Sequence, residues 1–176
     1  MPVYAFEGKT PVVDPSAFIA PTATVVGDVV IEAGASIWYG ATVRGDAAPV
    51  IVRAGANVQE CAVLHGAPGT ITEVGPGVTV AHLCLVHGAV LEEECLVGNG
   101  AIVLDGARIG ARSLIGAGSV VSAGAQIPPG VLAIGSPAVV KRELAGTPAA
   151  ELVALNPPAY REMAARHRDG LTLVRE

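Results

Sequence analysis

The chain repeats itself every six residues, and few folds can accept that period. Counting from Val13, aliphatic side chains recur at Ile19, Val25, Ile31, Ile37 and Val43. The series resumes at Val52, Val58 and Leu64, then at Val74, Val80 and Val86, then runs from Leu91 through Val97, Val103, Ile109, Ile115 and Val121 to Ile127. All but Leu64 and Leu91 are β-branched. Four residues after most anchors comes a small residue, among them Ala17, Ala23, Ala35, Ala41, Ala56, Ala62, Cys84, Cys95, Ala101 and Ala107, with Pro68 as the main exception. Amphipathic helices repeat at 3.6 and half-buried strands at 2. A period of six with β-branched anchors fits a parallel β-helix whose coils each contain three short strands. Large inward residues alternating with small corner residues fill such a narrow interior.

Composition agrees. Hydrophobic residues make up 51 % of the 176 residues but aromatics only 3 %, so the core is built from Val, Ile, Leu and Ala. The 22 glycines and 13 prolines supply tight corners. The length suits one domain. A formal charge of −5 without a Lys/Arg run argues against a nucleic-acid partner. No apolar run approaches the ~20 residues of a membrane span, and the first ten residues lack a signal-peptide core. Three cysteines, an odd number, predict a reducing cytoplasm.

Three segments follow from the pattern: an N-terminal stretch 1–12, the repeat domain 13–138, and a C-terminal helical segment 139–176. Thr147-Pro148 reads as an N-cap with Pro at the first helical position. A helix is expected over 149–155, an interruption at Asn156-Pro157-Pro158, and a second helix over 158–168 closed by Gly170.

The six-residue count fails three times: Val43 to Val52, Leu64 to Val74, and Val86 to Leu91. With three hexapeptides per coil, all three failures fall at one edge of the prism. Irregular connections on a rigid scaffold concentrate function. The residues just after those three anchors are Arg44, His65 and His87, all pointing outward. His65 and His87 are vertical neighbours about 4.8 Å apart, close enough to share a metal ion. His82 belongs to the preceding face and points around a corner. A neighbouring subunit brings it to the ion more readily than its own chain does.

Trp38-Tyr39-Gly40, Arg44-Gly45-Asp46, Asn57-Val58-Gln59, His65 and the stretch from Ala81-His82 to His87-Gly88 together resemble the γ-class carbonic anhydrases, over about residues 11–141. The resemblance implies a left-handed β-helix, whereas the general crossover rule would give the opposite hand. It implies a homotrimer with zinc, or Fe(II) or Co(II), at each subunit interface. His65 and His87 would come from one subunit and His82 from its neighbour. Arg44 and Asp46 match a pair joining subunits near the site, and Gln59 matches a glutamine that touches metal-bound water or substrate. Three imidazoles leave a fourth position for water, and the metal-bound hydroxide would hydrate CO₂ to bicarbonate.

The sequence also departs from that family. Ala47 stands where a glutamate follows the Arg-Gly-Asp segment, and the loop 66–73 has Glu73 as its one acid, leaving Glu60 and Glu73 as the available proton carriers. Two other functions therefore stay open: a hexapeptide-repeat acyltransferase using acyl-CoA, and a non-catalytic metal-binding member. His167, Tyr160, Cys61, Cys84 and Cys95 read as structural.

Overall fold

The computed structural model describes residues 2–175. It is a left-handed parallel β-helix of about seven turns with one C-terminal helix. The anchors stack in three columns, one per face. The first face stacks Val25, Val43, Leu64, Val86, Val103 and Val121. The second stacks Val13, Ile31, Val52, Val74, Leu91, Ile109 and Ile127. The third stacks Ile19, Ile37, Val58, Val80, Val97 and Ile115, ending on Ala133.

From Val25 to Val121 no anchor is more than 1 % exposed. Each coil alone would leave its backbone donors and acceptors open, and the parallel ladders to the coils above and below satisfy them. The three breaks in the count all lie between the first and second faces. The longest strand, Thr42–Val52, bends through that edge, and its register against Thr24–Ile31 shifts between Gly27 and Val29.

Both ends differ from the plain repeat. Val3–Tyr4 pairs in parallel with Val25–Val26, so the N-terminal stretch extends the first face. Ala138–Glu143 turns back antiparallel on Val131–Gly135, so the segment expected to be helical begins as a strand.

Helix α1 is continuous over Pro148–Gly170, which corrects the expected break. Thr147 caps it as expected, accepting from the Ala150 N–H at 3.3 Å. Two interior prolines remove two backbone donors, and a proline inside a helix costs about 3 kcal/mol. Packing offsets this: Val153, Pro157 and Ala164 are buried against the solenoid, and the Thr79 hydroxyl donates to Asn156 Oδ1 at 3.0 Å. Gly170 is the last helical residue, and the capping position belongs to Leu171, whose N–H bonds to the His167 carbonyl at 3.1 Å. No helix among the described residues is long and apolar enough to cross a membrane.

Candidate metal centre in two halves

The first half lies on the first face. Parallel pairing sets His65 directly beside His87 on adjacent coils, as the register predicts. His65 Nδ1 is 3.1 Å from His87 Nε2. Each ring has a carboxylate on its other nitrogen: Asp46 Oδ1 at 3.0 Å from His65 Nε2, and Asp105 Oδ1 at 2.8 Å from His87 Nδ1. The Arg44 guanidinium donates to the second oxygen of Asp46, and the Ala47 N–H donates to the first at 2.9 Å. Burial pushes the Asp46 carboxyl up, but the bonds from Arg44, His65 and Ala47 outweigh it and hold the group below the usual carboxylate range.

Backbone and hydroxyl contacts fix this half. Thr72, fully buried, donates its hydroxyl to the His65 carbonyl at 2.6 Å and accepts from the Gly88 N–H at 2.9 Å. It therefore ties the two histidine-bearing coils together. The middle residue of Arg44-Gly45-Asp46 has to be glycine, since a Cβ there would lie 2.3 Å from the Asp28 carbonyl oxygen. Only without it can the Thr42–Val52 strand cross Thr24–Ile31 and aim Asp46 at His65.

The second half lies at the corner where the third face passes into the first. His82 is followed by Leu83 in a left-handed conformation (φ +63), and Cys61, one coil earlier, has φ +59. Such residues cost roughly 1–2 kcal/mol each, so the corner that carries His82 is held under strain. Glu60 Oε2 lies 2.7 Å from His82 Nδ1, poorly aligned for an N–H···O bond, and that buried oxygen has no other donor among the described residues. The Tyr160 hydroxyl makes a long 3.5 Å contact with His82 Nε2. Burial, aided by the Glu60 charge, pushes the Tyr160 hydroxyl pKa up.

Gln59 is 2 % exposed. Its amide donates to Asn57 Oδ1 at 2.9 Å, and Asn57 donates to Thr79 Oγ1 at 2.9 Å. Through Thr79 and Asn156 this chain reaches α1. Gln59, Ala81, His82, Leu96, Asn156 and Tyr160 line one pocket under the helix.

The structure thus brings Arg44, Asp46, His65 and His87 together, and separately groups Gln59 with His82. Among the described residues no three His, Cys, Asp or Glu side chains in the chain surround one metal position. The donors of the first half nevertheless fit a tetrahedral ion. Bonds of ~2.0–2.1 Å place neighbouring ligand nitrogens about 3.3 Å apart, close to the observed His65–His87 spacing.

Other expected participants have different duties. Glu73 is engaged by Arg53 Nε at 2.7 Å, away from the histidines. Tyr39 and His167 bond at 2.8 Å, and His167 packs edge-on against Trp38 at 5.0 Å, so His167 anchors α1. Cys84 and Cys95 are buried corner residues. Burial pushes Cys84 up to about 11 and Cys95 further, while Cys61 is exposed. Sequence reasoning missed Asp105 and Thr72. Asp105 falls one coil beyond Gly88, and that count was the available signal.

A family model described as "Bacterial transferase hexapeptide (six repeats)" matches residues 88–123. A protein named "Carbonic anhydrase" from Geobacillus kaustophilus is 47 % identical over 142 residues, covering 81 % of this chain and 78 % of that protein. "Carnitine operon protein CaiE" of Salmonella agona is 40 % identical, covering 98 % of this chain and 86 % of that protein. Among solved structures, a hexapeptide transferase family protein from Anaplasma phagocytophilum superposes with a TM-score of 0.90 at 34 % identity, covering 97 % of this chain and 98 % of that one. With its stacked hexapeptides and these relatives, the chain belongs to the γ-class carbonic anhydrase-like family of hexapeptide-repeat proteins.

Proposed function

We propose that the protein is a metal-dependent hydratase converting CO₂ to bicarbonate, with its site completed between subunits of a homotrimer. The observation that carries this reading is the pair His65 and His87, each backed by a carboxylate, on a different face from His82. In a threefold assembly the first half of one subunit meets the second half of the next, giving the ligand set His65, His87 and His82. Zinc is the proposed ion, with Fe(II) and Co(II) as alternatives, since imidazole sites accept all three. When bound, the ion supplies the chemistry of a water acidified to pKa about 7, a nucleophile for CO₂ at neutral pH.

The chain's own groups supply the rest. Asp46 orients the His65 ring and is itself held by Arg44. Arg44 is 44 % exposed in its side chain and always charged, so it attracts the bicarbonate anion and pairs across the interface. Gln59, its amide held by Asn57, lines the pocket beside His82, where it would position the substrate. The three unpaired cysteines are in keeping with a cytoplasmic protein.

Metal content of protein purified anaerobically without chelators tests the reading. One ion per chain is expected, lost in His65→Ala and in His82→Ala, together with CO₂ hydration above the metal-free control. Metal-loaded protein that does not hydrate CO₂ across several metals and pH values would instead be a non-catalytic metal-binding member. Glu73's commitment to Arg53 favours that second reading, because it removes a proton carrier. The match to a transferase hexapeptide model leaves acyl transfer open as a third reading, and calorimetric binding of acetyl-CoA by the metal-free chain would support that outcome.

A further inference from the structure

We propose that Asp105 is a positioning residue of this metal centre, and that residue 88 is glycine so that the Asp105 carboxylate can reach His87. The inference rests on the ligand role proposed above for His87.

Asp105 lies one coil beyond the histidine. Its backbone is held from both sides. The Gly106 N–H donates to the Gly88 carbonyl at 2.7 Å, and the Asp105 carbonyl accepts from the Gly124 N–H at 2.8 Å. From that station Asp105 Oδ1 sits 2.8 Å from His87 Nδ1, within hydrogen-bond alignment. A carboxylate can only accept, so Nδ1 carries a ring proton, and in the neutral imidazole Nε2 keeps its lone pair. Nε2 is the nitrogen facing His65. Asp105 thus selects both the tautomer and the ring orientation that present Nε2 to an ion.

The carboxylate is 42 % exposed, so burial does not hold it in place. The shape of its neighbour does. A Cβ on residue 88 would lie 2.3 Å from Asp105 Oδ1 and 3.1 Å from its Cγ. Gly88 also has φ +56, a conformation that glycine adopts freely. An alanine there would displace the carboxylate from the histidine while leaving the carboxylate in the chain. The other half has no equal arrangement, since Glu60 approaches His82 Nδ1 out of alignment.

Three variants of the full chain test this: Asp105→Ala, Asp105→Asn and Gly88→Ala. Zinc affinity by chelator competition and the visible spectrum of the cobalt-loaded protein are read alongside the nitrogen-15 shifts of His87 in metal-free protein. All three variants are expected to bind zinc about 10–100-fold more weakly, with an altered cobalt spectrum. Parent protein should carry the His87 proton on Nδ1, and that preference should be lost in Asp105→Ala. Circular dichroism and sedimentation matching the parent exclude misfolding as the cause, and Asp105→Asn, nearly isosteric, guards against it. Unchanged affinity and spectrum in both Asp105 variants would overturn the proposal, as would a neutral parent His87 ring with its proton on Nε2. Should the parent bind no metal at all, the hydratase reading fails by itself. The nitrogen-15 shifts would still decide whether Asp105 fixes His87.

Discussion

The two halves of the site are built by different means. His65 and His87 are neighbours because parallel strands place them so, on coils bolted together by Thr72. Their geometry needs nothing beyond the solenoid. His82 stands on a strained corner, and its surroundings come partly from elsewhere: Tyr160 and Asn156, more than seventy residues away in sequence, belong to α1. The first half is therefore as rigid as the stack, and the second is as well defined as the docking of one helix. A site divided in this way gets precision from the repeat and leaves the pocket open to change through the helix.

The strongest way to break this comparison is to separate the halves genetically. A His65→Ala, His87→Ala double variant and a His82→Ala variant should each hold no metal. If the proposed homotrimer holds, the two unfolded together and refolded as mixed assemblies should regain about a quarter of the parental sites, because each interface needs an intact half from each parent. Metal retained by His82→Ala alone would show that one chain suffices.

A smaller effect is expected from Trp38→Ala. Trp38 is 1 % exposed and packs on Phe18, Tyr160 and His167. Its loss should cost about 3–5 kcal/mol in denaturant unfolding. Hydrogen exchange should accelerate across α1 while amides of Val63–His65 and Leu85–His87 keep their protection. Uniform acceleration would mean that the halves are not independent.

Thr72→Val acts on the opposite half. It removes the hydroxyl between the two coils and should cost about 1 kcal/mol, since the Gly88 N–H still reaches the His65 carbonyl. Hydrogen exchange at Gly88 should rise and that of α1 should not.

The smallest effect is expected at Glu92, on the second face and outside both halves. The Arg108 guanidinium and the Ala111 N–H hold its carboxyl below the usual range. A depressed carboxyl stabilises the fold above its unfolded pKa and loses that contribution as pH falls through the folded one. Glu92→Gln should thus lower stability at neutral pH by at most about 1 kcal/mol, and the difference should vanish in acid. Metal content should not change.

The sequence made some of this legible and hid the rest for physical reasons. The register of Val43, Leu64 and Val86 was readable because interior anchors tolerate only one period, and it carried His65 and His87 to the same face. The separation of His82 followed from the same count. The same count places Asp105 one coil beyond Gly88, but the reach of Asp105 and Glu60 to their histidines was not readable, because it depends on side-chain directions and, for Asp105, on a missing Cβ at residue 88. The continuity of α1 through Pro157-Pro158 contradicted a sound local rule. Burial of Pro157 and the Thr79–Asn156 bond outweigh the lost backbone bonds, and neither is visible in the helix sequence alone.

The chain has a single tryptophan, and it is wedged between the third face and α1 with its indole N–H bound to Ser36 Oγ at 3.0 Å. Its fluorescence can therefore come from one place only. The imidazole of His167 and the ring of Tyr160 pack edge-on against the indole, so lifting the helix from the solenoid should alter that emission even where the coils stay intact. The native protein carries its own optical gauge for the half of the site that the helix builds.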